Sequence, residues 1–149
     1  MGTRSRVGVM HGNVCKSVYC HYDGYLEYTG KLLLENYDSA TANELVALGD
    51  NSGVQKTLGD MNFYSDRGET NVSWQVAHTF EEFLEQVHNC GGEYYYIMRD
   101  GEWYVGCIYA TKGLVMNGLV PLSEAVAAKA IEGLTAELTE TQIAKVLFK

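Results

Sequence analysis

Hydrophobic and polar residues alternate along the first part of the chain and predict two strands. Val7 and Val9 alternate with small or charged residues between Thr3 and His11, and a second alternating segment runs from residue 14 to residue 22. Gly12-Asn13 lies between these segments and is typical of a two-residue hairpin loop. We therefore predict a β-hairpin at the start of the chain.

The hairpin turn determines which side chains share a face. In the predicted register Arg4 opposes His21 and Arg6 opposes Tyr19, so these four polar side chains lie together. We expect this face to be polar with a basic end. The opposite face is apolar and is expected to form a core surface from Val7, Val9, Val14, Val18 and Cys20.

Asp100-Gly101 predicts a second hairpin, with one strand from Glu93 to Arg99 and the other from Glu102 to Tyr109. A third strand is predicted from Val72 to His78. The stretch from Asp50 to Asn71 is rich in Gly, Asp, Asn and Ser and has no sustained period, so we predict a long surface loop.

Helical spacing of apolar residues predicts a helix from about Leu26 to Tyr37, with Asp23 or Gly24 at its cap. Thr79 and Glu82 have the spacing of a capping box and predict the start of another helix. Further helices are predicted over residues 41–48, over residues 121–131 and near the C-terminal end from residue 139.

The order of these elements predicts an α+β fold in a single domain that spans residues 1–149. The two hairpins and the third strand predict an antiparallel sheet of about five strands, with helices packed on one face. The apolar fraction of 46% favours an ordered globule, and the length is sufficient to bury a core.

Charge is distributed unevenly along the chain. The net charge is −8, but residues 1–31 carry four basic and two acidic side chains, so the acidic excess lies in the remainder. Nonspecific nucleic-acid binding needs a broad basic face and is not expected, whereas one basic pole can hold a compact anion. The apolar runs are too short to span a bilayer and no signal peptide is indicated, so we expect a cytoplasmic protein with no membrane contact.

The cysteines and the aromatic residues of the second hairpin are predicted to be structural. The cysteines lack CxxC spacing and favour small buried residues over disulfide or metal ligands, so no metal and no cofactor is predicted. The aromatic residues predict a core face together with a self-association surface, and hence a homo-oligomer. These residues are Cys15, Cys20, Cys90 and Cys107, and Tyr94, Tyr95, Tyr96, Trp103 and Tyr104.

Residues suited to anion binding cluster at the open end of the first hairpin. Guanidinium groups, an imidazole and the backbone N–H groups of a helix start are three separate devices for holding a phosphate or carboxylate. One further arginine in the long loop could close over a bound anion. The predicted ligand-binding residues are Arg4, Arg6, Tyr19, His21, Asp23, Tyr25 and Arg67. The alternative is a polar edge in which Arg4 pairs with Asp23 or Glu27.

Three segments of the chain resemble one protein family. They are Gly2-Thr3-Arg4-Ser5-Arg6-Val7-Gly8, Tyr19-Cys20-His21-Tyr22-Asp23-Gly24-Tyr25 and Gly30-Lys31-Leu32-Leu33. The chain is similar to small phage and prophage proteins with a Ser/Thr-Arg start and a Tyr-Cys-His-Trp-Asp-Gly-Tyr core. Tyr22 stands where that family usually has Trp, and Leu26 where Pro is common. The resemblance implies a mobile-element origin and an accessory factor that acts on host machinery.

We favour a binding protein over an enzyme. The hypothesis is a phage accessory protein, with a counter-defence role, that captures a small anionic ligand such as a nucleotide or docks on a host protein. One alternative is a metal-independent phosphoesterase or hydrolase in which His21 and Asp23 orient each other, although no nucleophile motif accompanies them. Another is an acidic DNA mimic that binds a basic host protein through Glu81, Glu82 and Glu85.

Overall fold

A computed structural model describes residues 3–108, 118–130 and 147–148. The strands in these ranges are β1 Ser5–His11, β2 Val14–Cys20, β3 Gln75–Ala77, β4 Tyr94–Arg99, β5 Glu102–Cys107 and β6 Val120–Pro121. The helices are α1 Lys31–Asn36, α2 Ser39–Leu48, α3 Phe80–Asn89 and α4 Leu122–Ala130. A π-helix, Leu26–Gly30, leads directly into α1, and short 3₁₀ turns lie at Leu58–Asp60 and Tyr64–Arg67.

The strands form one mixed sheet in the order β3-β2-β1-β4-β5-β6. Both predicted hairpin registers are confirmed, because Arg6 pairs with Tyr19 in the first and Arg99 pairs with Glu102 in the second. The two hairpins join through β1 and β4, which run parallel, with Val7 opposite Tyr96. The sheet is therefore mostly antiparallel and, within the described residues, has six strands where the sequence predicts about five.

Helices contact both faces of this sheet, whereas the sequence predicts helices on one face. α1, α2 and α4 bury Leu33, Leu45 and Leu122 in the core cluster that contains Val7. α3 buries Phe83 and Val87 in a second cluster, with Cys15, Tyr95 and Ile97. The chain passes from β3 to β4 across β2 and β1, and the amphipathic α3 makes that crossing on the face that the hairpin pattern predicts to be polar. The α+β class is confirmed.

Side chains cap the two longer helices near the sheet. Asp38 accepts a hydrogen bond from Thr41 N at 2.9 Å and begins α2 with a complete capping box. Thr79 accepts from Glu82 N at 3.1 Å, as the sequence predicts for α3. The Glu82 carboxylate instead accepts from His78 N at 2.6 Å, so the predicted box at α3 is only half formed.

The predicted surface loop from Asp50 to Asn71 has no long element, but it packs against the sheet. Val54, Met61 and Phe63 are buried in the same core cluster as α1 and α2. Asn51 is fully buried and forms isolated bridges with Cys20 and Phe63. This segment therefore continues the sheet beyond the end of β2, where the candidate site lies.

Some predictions fall on residues outside the described ranges. These are the last residue of the strand predicted to end at Tyr109, the end of the helix predicted over residues 121–131, and most of the helix predicted from residue 139. None of the helices in the described ranges has both the length and the apolar run that a bilayer span requires.

Candidate anion-binding corner

Tyr19 and His21 lie at the end of β2, where a neighbouring segment holds their backbone. Tyr19 N donates to Asp50 Oδ1 at 2.8 Å, and Asn51 N donates to Tyr19 O at 2.9 Å. His21 N donates to Asn51 O at 3.1 Å, and Tyr22 N donates to Ser52 O at 2.7 Å. Residues 50–52 therefore extend the hydrogen-bond ladder and fix the two side chains at the sheet edge.

The Tyr19 hydroxyl is at the centre of a group of polar side chains. It shares a hydrogen bond with Nδ1 of His21, and the two rings meet edge to face with their centroids 5.7 Å apart. Burial raises the pKa of Tyr19, and the nearby Arg4 guanidinium opposes that rise through its charge and a hydrogen bond. The phenol is therefore protonated at neutral pH and links the imidazole to the guanidinium.

Arg4 is exposed at the outer side of this group. A β-carbon added at Gly91 would lie 2.9 Å from Nη1 of Arg4, so the guanidinium passes closely over this glycine. Gly91 has a φ of +72°, which also favours glycine, and it follows the C-terminal end of α3, where backbone carbonyls attract a cation. Within the described ranges no ion pair joins Arg4 to Asp23 or Glu27.

Arg6, which the sequence predicts to be a ligand contact, does not lie with this group. The residue is only 2% exposed, because α3 covers its face of the sheet. Its Nε donates to Ser17 Oγ at 2.9 Å, and its Nη2 donates to Ser17 O at 2.8 Å. Its charge also lowers the pKa of Asp50, against a larger upward effect of burial. Arg6 is a buried cation that joins β1 to β2.

The helix begins at Leu26, as the sequence predicts, but the prediction of a cap at Asp23 or Gly24 is wrong. The N-cap is Tyr25, which has no side-chain cap, and the π-helix starts at Leu26. Asp23 instead adopts a left-handed conformation with φ of 57°, and its carbonyl accepts from Thr29 Oγ1 at 2.6 Å. Gly24 N donates to Thr3 O at 2.7 Å and holds the chain in this path.

The imidazole of His21 is oriented by Tyr19 and not by Asp23. Nδ1 of His21 is bonded to the Tyr19 hydroxyl, and the part of the chain that the structure describes contains no hydrogen bond between His21 and Asp23. On its other side the His21 ring meets the ring of Tyr22 edge to face at 4.3 Å. A catalytic pair of His21 and Asp23 is therefore not formed.

Tyr64 and Arg67 bring the long loop to the border of the group. They are three residues apart in a 3₁₀ turn, a spacing at which side chains eclipse. The Arg67 guanidinium lies 4.3 Å from the centroid of the Tyr64 ring, and its Nη2 pairs with Glu69 Oε2 at 2.5 Å. Tyr64 N donates to Asp50 O at 3.0 Å, and the Tyr64 phenol is close enough to raise the pKa of Tyr19. We call Arg4, Tyr19, His21 and Tyr64 the corner.

The cysteines and the aromatic residues of the second hairpin are mostly interior. Cys15, Cys20 and Cys107 are buried, and burial raises the pKa of Cys15 and of Cys20 to about 12, so these thiols are not reactive at neutral pH. Tyr95 and Tyr96 are fully buried in the two different core clusters, so both faces of this hairpin are core, where the sequence predicts one core face. Within the described ranges no group of three His, Cys, Asp or Glu side chains could hold a metal ion.

The sequence pattern does not predict Tyr64 at the corner or Asp50 beside the backbone of Tyr19. The spacing of Tyr64 from Arg67 is the one available signal, because it is the stacking distance in a 3₁₀ turn. Comparison of the chain with protein-family models, with curated proteins and with solved structures found no match. The chemistry of the corner is therefore argued from its geometry.

Proposed function

We propose that this protein binds a small anionic ligand, such as a nucleotide, at the corner. The observation that carries the proposal is the position of Arg4, which is exposed yet packed over Gly91, with its charge close enough to act on Tyr19. A guanidinium that is already ordered loses little further freedom when it binds an anion. The free energy of charge-assisted hydrogen bonds from Arg4 to a phosphate would therefore contribute almost fully to the binding affinity.

The groups around Arg4 suit the rest of a nucleotide. The Tyr19 and Tyr64 phenols and the His21 imidazole offer further hydrogen-bond partners beside the guanidinium. Tyr22 is 51% exposed with its ring against His21, and an exposed ring of this kind can stack on a nucleobase. A phosphate on Arg4 and a base on Tyr22 make the nucleotide our preferred ligand.

Two observations support capture of the ligand without chemistry. His21 shares its Nδ1 with Tyr19, and among the described residues it has no hydrogen bond to the carboxylate that a general base of this kind would use. The buried thiols and the hydroxyl of Ser5, which is fully buried, are remote from solvent and cannot act as nucleophiles on a bound ligand. The resemblance to phage and prophage proteins supports a ligand of host origin and a counter-defence role.

Titration calorimetry with ADP, adenosine and inorganic phosphate tests the proposal. We expect ADP to bind more tightly than either part, and Arg4→Gln to weaken ADP binding by about tenfold, since one charge-assisted contact is lost. Lys31→Gln, which removes an exposed cation on α1, is the matched control and should leave binding unchanged.

Each other outcome has a distinct meaning. Failure of wild-type protein to bind ADP, or equal binding by Arg4→Gln, contradicts nucleotide capture at the corner. The mass of the recovered nucleotide separates a binder from an enzyme, because a phosphoesterase would return AMP or adenosine. Binding of a host protein that Arg4→Gln abolishes, with no effect of ADP, would favour a docking role instead.

A further inference from the structure

Arg67 is the second cation near the corner, but its charge is already paired within the chain. Its Nη2 contacts Glu69 Oε2 at 2.5 Å, while its guanidinium plane lies over the Tyr64 ring. The stacking on Tyr64 and the ion pair with Glu69 are separate contacts of one group. A guanidinium has five N–H donors in a fixed plane, so it can stay stacked while the partner at its edge is exchanged.

We propose that Glu69 is an internal competitor for Arg67, so that an anion bound at the corner gains Arg67 only by displacing the Glu69 carboxylate. This inference rests on the proposed function and adds a residue that sets the affinity of the same site. Glu69 is two residues from Arg67, so its carboxylate is present at a high effective concentration and must be outcompeted by any ligand.

The exposure of the pair permits such an exchange. The side chains of Arg67 and Glu69 are 57% and 45% exposed, so either partner can leave the other without opening the core. Tyr64 connects this pair to the corner, because Tyr64 N donates to Asp50 O at 3.0 Å and Asp50 Oδ1 accepts from Tyr19 N at 2.8 Å. An anion held by Arg4 beside Tyr19 would therefore lie near the ring on which Arg67 stacks.

Asp66 is a built-in control for the charge of Glu69. It is exposed in the same 3₁₀ turn, and in the described part of the chain it forms no ion pair with Arg67. Asp66→Asn and Glu69→Gln remove the same charge at exposed positions three residues apart. Only the second change removes the carboxylate that contacts Arg67, so the pair of variants separates direct competition from a general reduction of negative charge.

The experiment is calorimetric titration of ADP into the wild-type protein and four variants. We expect Glu69→Gln to bind ADP about threefold more tightly, since exposed ion pairs are weak competitors, and Asp66→Asn to bind it as the wild type does. Arg67→Gln should bind ADP more weakly. The double variant Arg67→Gln/Glu69→Gln should match Arg67→Gln, because the gain from removing Glu69 requires Arg67.

Three results would overturn the inference. They are unchanged ADP affinity in Glu69→Gln, an equal gain in Asp66→Asn, and persistence of the gain in the double variant. Arg4→Gln keeps this test distinct from that of the proposed function. If ADP binds to the wild type and is lost in Arg4→Gln, the proposed function stands whatever Glu69 does. If ADP does not bind at all, both proposals fall.

Discussion

Two tight hairpins lie side by side in the sheet, since β1 of the first pairs with β4 of the second. Both have left-handed turn residues, Gly12 in one and Asp100-Gly101 in the other, and both keep their register over the whole ladder. They differ in what surrounds them. Each hairpin has a strand on both sides, but β3 pairs only with residues 15–17 of β2, so the end of β2 beyond Ser17 is bordered by the short segment at residues 50–52 instead of by a strand.

The difference is visible in where their aromatic polar groups bond. In the second hairpin Tyr96 donates to Gly24 O at 2.7 Å and Trp103 Nε1 donates to Tyr37 O at 2.9 Å. These partners are backbone carbonyls of other elements, so the rings connect the fold. At the corner the Tyr19 hydroxyl bonds to the side chain of His21. Side chains bonded to distant backbone therefore stabilise the fold, whereas side chains bonded to one another at a sheet edge are available to a ligand.

The largest expected contrast is between Trp103 and Tyr19. Trp103 is 4% exposed within the core, and Trp103→Ala should lower the free energy of unfolding by about 3–5 kcal/mol. Tyr19→Ala, at a partly exposed position, should lower it by only about 1 kcal/mol. Urea unfolding followed by fluorescence or circular dichroism measures both. Equal losses would remove the distinction between a structural hairpin and a functional one.

Arg4 and Arg6 provide a finer contrast within one strand. Arg6→Met removes two hydrogen bonds from a buried cation to Ser17 and should cost about 2–3 kcal/mol of unfolding free energy. Arg4→Met, at an exposed position, should change it by less than about 0.5 kcal/mol. The same unfolding measurement tests both variants. A stable Arg6→Met protein that fails to bind ADP would instead return Arg6 to the ligand site.

These two arginines also show which parts of the structure the sequence predicts. The pairing of Arg6 with Tyr19 follows from Gly12-Asn13, because a two-residue turn fixes register locally. The burial of Arg6 depends on α3 crossing its face, which is a contact between elements far apart in the chain. A hairpin pattern carries no information about what covers each of its faces.

The remaining differences at the site have similar causes. The cap lies at Tyr25 because the left-handed backbone of Asp23 and the Gly24–Thr3 hydrogen bond, which joins separate segments, hold residues 23 and 24 outside the helix. Asp50 and Tyr64 reach the corner because the loop adds to the edge of β2, and no periodic pattern marks that loop. The proximity of Arg4, Tyr19 and His21 could be predicted, because it depends on the hairpin turn. The stacking of Arg67 on Tyr64 depends on local spacing alone and could also have been predicted.

The smallest expected effect concerns Asp50, which supports the backbone of Tyr19. Burial raises the pKa of this carboxyl above its ordinary value of 3.8, although the Tyr19 N–H bond and the Arg6 charge oppose the rise. The native state therefore keeps the proton to higher pH than the unfolded chain does. The contribution of Asp50 to the free energy of unfolding should be greatest below pH 3.8. It should fall as the pH rises through the pKa of Asp50 in the native state. Because Asp50 is only partly buried, we expect a change below about 1 kcal/mol.

Asp50→Asn should remove this dependence, because an amide oxygen can still accept from Tyr19 N but does not titrate. The measurement is the difference in unfolding free energy between wild type and variant from acid to neutral pH. Asp38 is the control of opposite sign, since hydrogen bonds from Thr41 lower its pKa and its contribution is lost as pH falls. If Asp50→Asn and Asp38→Asn changed the dependence of the unfolding free energy on pH in the same direction, the Asp50 carboxyl would be less desolvated than its position indicates. The corner would then resemble an ordinary solvated edge more than a prepared site.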